Sequence, residues 1–249
     1  MIAFKDHFSG HAADYARFRP NYPPKLFNYL ASLSPKHELA WDCATGNGQA
    51  AIGLAEHFAT VIATDASARQ IESAQPHPSI RYWVAPAEAS GIDLCSVDLI
   101  LVAQALHWFD MERFFTETKR VSKERGILAV STYPLVIVSP EIDAILSKFY
   151  YETTGPHWPP ERDLVETNFE NIRFPFPELP PREFEMRQQW NLAQLTGYLR
   201  TWSATKKFIA ACGFDPVDLL TLELASVWPD PEQARSVTWP LKLRTFRVQ

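Results

Sequence analysis

Between Glu38 and about Val130, short apolar runs alternate with stretches whose apolar residues recur at helical spacing. The runs ELAWDC, TVIATD, IRYWVA, VDLILVA and GILAVSTY are rich in β-branched and aliphatic residues and end at turn residues, so each predicts a strand. Helical patterns near residues 48–58, 67–74 and 110–123 lie between them. Regular strand–helix alternation predicts an α/β protein with a mostly parallel sheet wrapped by helices on both faces. VDLILVA is nearly all apolar and suits a central strand buried on both sides.

After Pro134 the pattern changes. Residues 134–181 carry GPHWPPERD and RFPFPELPP, too rich in proline for a long helix and too apolar for a disordered linker. They are expected to fold as an insertion over the edge of the sheet. EFEMRQQWN then reads as a strand, NLAQLTGYLRTWSATKKFIAAC as helical and TWPLKLRTFRVQ as a terminal strand. The expected organisation is one domain: a core over residues 1–133 with an N-terminal arm, then a cap and C-terminal strands over 134–249 that complete the same sheet.

Composition narrows the function classes. With 249 residues and 46% hydrophobic content, the chain can bury a full core. A formal charge of -5, with basic clusters no longer than pairs such as Lys206-Lys207, argues against a nucleic-acid partner, which calls for a concentrated basic face. Cys43, Cys95 and Cys212 are scattered and form no C-x-x-C, so neither a disulfide framework nor a metal site is expected. The charged N-terminus lacks the apolar region of a signal peptide, and no stretch approaches the roughly 18 apolar residues of a membrane helix. A cytoplasmic location is the expectation, and the oligomeric state is left open.

The stretch WDCATGNGQAA, between the first strand and the first helix of the core, carries the chemistry. Gly46 and Gly48 lie where a strand-to-helix turn brings backbone N–H groups close to a ligand. Gly46-x-Gly48-x-x-Ala51, with Asp65 ending the next strand, also matches a dinucleotide-binding pattern in which the late acid takes the ribose hydroxyls. A nicotinamide-dependent oxidoreductase is therefore a real alternative, and a binding protein that has lost its chemistry is another. Asp42 discriminates between the cofactors. A pyrophosphate beside that carboxylate would be repelled, whereas S-adenosylmethionine presents an ammonium and a sulfonium.

Asp42-x-Ala44-x-Gly46-x-Gly48, Asp65, Ala87-Glu88 and AQALHWFD resemble the ordered motifs of class I S-adenosylmethionine-dependent methyltransferases. The opening YARFRPNYP and the later GYLRTWSAT resemble a small-molecule branch related to the trans-aconitate methyltransferases. The departure is Ala44, where many members carry glycine.

The resemblance implies a Rossmann-like fold with S-adenosylmethionine as cofactor and a small-molecule carboxylate or hydroxyl as methyl acceptor. It implies cofactor contacts at Tyr15, Arg19, Asp42, Ala44, Gly46, Gly48, Asp65, Ala66, Ala87, Glu88, Gln104 and Ala105. Tyr15 and Arg19 would fold over the pocket, Arg19 pairing with the cofactor carboxylate. His107, just past the fourth strand, is the candidate general base for a hydroxyl acceptor, or a charge that steers a carboxylate. Trp108, Tyr133, Trp158 and Trp202 are candidate walls for the acceptor.

Overall fold

The computed structural model describes residues 18–248. Its frame is a seven-stranded sheet in the order β3-β2-β1-β4-β5-β7-β6. These strands are β1 (Leu39–Cys43), β2 (Thr60–Asp65), β3 (Ile80–Val84), β4 (Val97–Ala103), β5 (Ser122–Thr132), β6 (Arg182–Trp190) and β7 (Arg235–Arg247). β1 to β5 pair in parallel, and β7 runs antiparallel to both β5 and β6. The five core strands fall where the apolar runs predict them, with β5 starting four residues before GILAVSTY.

Side-chain alternation explains why these runs had to be strands. In β4, Leu99 and Leu101 enter one core while Ile100 and Val102 enter the other, and β5 repeats the split with Ile127 and Ala129 against Leu128 and Val130. Both faces are therefore dry, as a parallel sheet requires. One face is covered by α1 (Pro24–Leu33), α2 (Gln49–Ala55) and the C-terminal helices, the other by α4 (Met111–Val121). α3 (Ala68–Glu72) follows β2, and Ser67 caps it by accepting from the Gln70 N–H.

Residues 134–181 depart from expectation in two ways. Pro140–Lys148 forms α5, which runs on without a break through a wider turn at Phe149–Thr153. The prolines frame this helix instead of interrupting it: Pro140 occupies its first turn, where the missing N–H has no intrahelical partner anyway. The second correction concerns place. Leu135, Tyr150, Trp158 and Arg162 of this segment stand over the carboxyl ends of the interior strands β4 and β5, not at the sheet's edge. Burying this aromatic surface needs a partner face, and the strand ends supply one.

α6 (Arg162–Glu166) closes the segment, and the helical stretch after β6 divides into α7 (Leu192–Arg200) and α8 (Ser203–Cys212). α9 (Pro216–Ala225) lies between α8 and β7, in a stretch for which no element was expected. Pro240 sits inside β7 without disrupting the sheet, because pairing with β5 ends at Lys242 and only β6 faces Glu185↔Pro240.

Candidate active site

The chain leaves β1 through three residues in the left-handed backbone region, Ala44 (φ 57°), Gly46 (φ 57°) and Gly48 (φ 90°). Ala44 bears the β-carbon penalty, about 1–2 kcal/mol, that glycine avoids there. At Gly48 an added Cβ would lie 2.5 Å from the Tyr82 hydroxyl of β3, so a side chain there would displace the tyrosine as well as strain the backbone. Gly46 faces open space, with nothing within 4 Å of an added Cβ.

Two carboxylates hold this turn. Asp65 accepts from the Gly46 N–H at 2.9 Å through Oδ2 and from the Ser67 N–H at 2.8 Å through Oδ1, joining the glycine turn to the start of α3. The helix cap itself is Ser67. Asp42 is buried at the end of β1, where Oδ2 accepts the Thr45 hydroxyl and Oδ1 has no hydrogen-bond partner among the described residues. Burial pushes its carboxyl up to about 7, opposed by the Thr45 hydroxyl and the nearby Ala51 N–H, with Asp65 adding a smaller repulsion. A buried acceptor atom of this kind calls for a donor, best a cationic one.

On the neighbouring strand ends, Ala87 is buried and Glu88 accepts the Asp110 N–H at 2.9 Å, fixing the approach to α4. Gln104 takes φ 57° and pins two strand ends together. Its Nε2 donates to the Tyr133 carbonyl at 3.0 Å, and its Oε1 accepts the Thr132 hydroxyl at 2.7 Å. Ala105 is buried and opens a single tight helical turn, Leu106–Trp108, that carries His107.

Beyond that turn lies a cavity of about 60 Å³ walled by residues distant in sequence, among them Arg19, Gln104, His107, Tyr133, Trp158 and Trp202. Arg19 Nη1 donates to the Tyr133 hydroxyl at 3.2 Å, and its guanidinium lies 5.3 Å from the Tyr198 ring centroid. Trp202 packs against Tyr150, Trp158 and Tyr198, so the cap and α7 share one aromatic cluster. His107 is buried beside Trp108, at 4.5 Å between ring centroids, and its Nδ1 has no partner among the described residues. Burial, helped by the positive charge of Arg162, pushes the imidazole down to about 3. A neutral imidazole at physiological pH fits the proton-accepting expectation for His107 better than the steering one.

The expected residues thus form two groups. Asp42, Ala44, Gly46, Gly48, Asp65 and the partly buried Ala66 surround the glycine turn. Gln104, His107, Trp108, Tyr133, Trp158 and Trp202 line the cavity, and Arg19 joins them. Tyr15 lies outside the described residues. Thr45, Tyr82, Tyr150, Arg162 and Tyr198 were not singled out in the sequence, since none belongs to a spaced motif and each gains meaning only from what it touches.

Comparison with known proteins fits this geometry. Residues 41–130 match a family described as Methyltransferase domain. A methyltransferase-named chain of Dictyostelium discoideum is 34% identical over 212 residues, 84% of this chain and 81% of its own. A solved structure named as a Type II methyltransferase from Anaeromyxobacter dehalogenans is 42% identical, covers 93% of this chain and 98% of its own, and superposes with a TM-score of 0.87. A Saccharomyces cerevisiae chain named as an S-adenosylmethionine-dependent methyltransferase is 29% identical over 131 residues, 49% of this chain and 45% of its own. The chain belongs to the S-adenosylmethionine-dependent methyltransferases, with a Rossmann-like fold and S-adenosylmethionine as its cofactor. Among the described residues no helix is long and apolar enough to cross a membrane.

Proposed function

We propose that the protein transfers the methyl group to a small-molecule carboxylate or hydroxyl held in the cavity at the carboxyl ends of β4 and β5. The observation that carries this reading is the cavity itself: aromatic walls from the cap, one buried neutral histidine, and Gln104 at its floor beside the glycine turn. β1 and β4 are paired neighbours, with Cys43 opposite Val102, so the two groups of residues face adjoining spaces. A free space of about 60 Å³ suits a compact acceptor.

The residues around the turn fit the cofactor. Asp42 Oδ1, buried and unpartnered among the described residues, would accept from the ammonium of its amino-acid end. Asp65, which accepts one backbone N–H on each oxygen, would also accept the ribose hydroxyls. Ala66, Ala87, Gln104 and Ala105 present backbone at the strand ends, and Ala87 and Glu88 border the space for adenine. Bound there, the cofactor supplies an electrophilic methyl on a cationic sulfur.

The protein's share of the work is then to align the acceptor, exclude water and manage one proton. Positioning of this kind reaches roughly 7–11 kcal/mol in well-oriented systems. The aromatic cluster around Trp202 excludes water. A carboxylate acceptor needs no base; for a hydroxyl, neutral His107 is the cavity's proton acceptor, through whichever ring nitrogen faces the substrate.

The test is binding followed by turnover. S-Adenosylhomocysteine is expected to bind at micromolar concentration and NADH negligibly by calorimetry, and a radiolabelled methyl-transfer screen of small acids and alcohols is expected to find acceptors. Preference for NADH would overturn the cofactor assignment, and retained cofactor binding without any turnover would favour the non-catalytic reading. With an acceptor in hand, the pH–rate profile is expected to show no histidine inflection between about pH 5 and 8, because His107 stays neutral throughout. A rate that climbs through pH 6.5 and loses that dependence in His107→Ala would show instead that the imidazole titrates normally.

A further inference from the structure

Arg162 opens α6 directly after the Pro159-Pro160-Glu161 stretch and lines the cavity. Its guanidinium lies 4.8 Å from the Trp158 ring centroid and 5.6 Å from that of Tyr150, sandwiched against the aromatic wall. Nε donates to the Tyr150 hydroxyl at 2.8 Å and to Glu166 at 3.2 Å, and the Tyr150 hydroxyl donates in turn to Glu166. These contacts lock the side chain through one nitrogen. The two terminal nitrogens donate no hydrogen bond to any described residue, and they are not sealed from solvent, the side chain being 18% exposed.

The surroundings make that arrangement specific. Among the described residues, those lining the cavity include Arg19 and Arg162 but no aspartate or glutamate. Glu166 balances Arg162 from the Nε side and does not line the cavity. His107 adds no charge, since its burial, with Arg162 adding to the effect, keeps it neutral. Arg162 therefore brings its guanidinium to the cavity while its counter-charge stays outside. A neutral occupant would cover these donors against the aromatic wall without pairing them, whereas a planar or tetrahedral oxyanion matches their fork.

We propose that Arg162 is the acceptor anchor, taking an anionic group, a carboxylate or a phosphate, on the molecule that receives the methyl. The anchored group need not be the one methylated. This assignment rests on the cavity being the acceptor site, and it adds a residue and a charge requirement to that reading. Trp158 and Tyr150 set the plane of the guanidinium, and Glu166 holds its Nε, so a lysine at this position would keep the charge and lose the geometry.

The experiment uses the full chain saturated with S-adenosylhomocysteine and three probes that share one ring: benzoate, phenyl phosphate and benzamide. Calorimetry is expected to show at least one anion binding about tenfold or more tightly than benzamide. Whether benzoate or phenyl phosphate is preferred identifies the oxyanion. In Arg162→Gln the preference over benzamide is expected to vanish, and in Arg162→Lys to return in part, while S-adenosylhomocysteine affinity and the melting temperature stay near those of the wild type. Equal binding of benzamide to the wild type, no binding of either anion, or an anion preference that survives Arg162→Gln would each overturn the assignment. The wild-type comparison stands even if the variants fold poorly. Failure of S-adenosylhomocysteine to bind at all would instead strike the reading of the site as a methyltransferase centre.

Discussion

Asp65→Ala is expected to weaken S-adenosylhomocysteine binding by about 10- to 150-fold while the protein keeps its fold, the range that follows from losing charge-assisted hydrogen bonds worth roughly 1.5–3 kcal/mol. The structure places this residue at a junction. Its two oxygens accept from Gly46 and Ser67, so its removal frees the glycine turn from α3 as well as deleting the acceptor for ribose. α3 itself is expected to survive, because its cap is the Ser67 side chain. Asp65→Asn keeps one carbonyl oxygen and should fall between wild type and alanine. Calorimetry measures the affinity and circular dichroism checks the fold; an alanine variant with wild-type affinity would reduce Asp65 to a strut of the turn.

The second large effect is a pH dependence of cofactor binding set by Asp42. Its carboxyl is half protonated near pH 7 in the ligand-free protein, and a cationic ammonium beside it requires the ionised form. Affinity should therefore rise with pH below 7 and level off above it, at roughly tenfold per pH unit on the acidic side, or about 100-fold between pH 5 and 7.5. Up to one proton should be released on binding, measurable from calorimetric titrations in buffers of different ionisation enthalpy. Asp42→Asn should bind more weakly and lose the dependence. A flat affinity profile in the wild type would mean that the ammonium is held elsewhere.

The same two buried groups oppose each other in the stability of the free protein. Asp42 has a raised folded-state pKa, so its contribution is full below 3.8 and is lost as pH rises through 7. His107 has a depressed one, so its contribution is present above 6.5 and is lost as pH falls through 3. Over the shared window, about pH 4 to 6.5, the slopes have opposite signs and nearly cancel. The pH dependence of cofactor binding thus need not be matched by one in folding.

Much of this protein was legible in its order of residues. The five core strands, the helices between them and the glycine turn follow from local rules: apolar runs of strand length, helical period, and glycines where the backbone turns left-handed. Asp42 and Asp65 were legible because a strand end followed by a turn fixes where a carboxylate must lie. The π-type turn and helix of residues 140–153 were not, since proline reads as a breaker unless the first turn of a helix is already known to begin there. Ionisation was not legible either. Nothing in the run AQALHWFD says that its histidine is buried, yet that burial, with the charge of an arginine 55 positions later adding to it, sets its ionisation.

What the sequence determined by itself is therefore the class of fold and the kind of cofactor, because both depend on short local patterns repeated in order along residues 38–130. Only the tertiary structure decided what surrounds the acceptor. Arg19, His107, Tyr133, Tyr150, Arg162 and Trp202 come from separate elements and meet at one cavity because the cap buries its aromatic residues against the ends of β4 and β5. Burial there removes water from the histidine and leaves it neutral, and the same packing brings Arg162 to the cavity, a result of tertiary contact rather than of spacing.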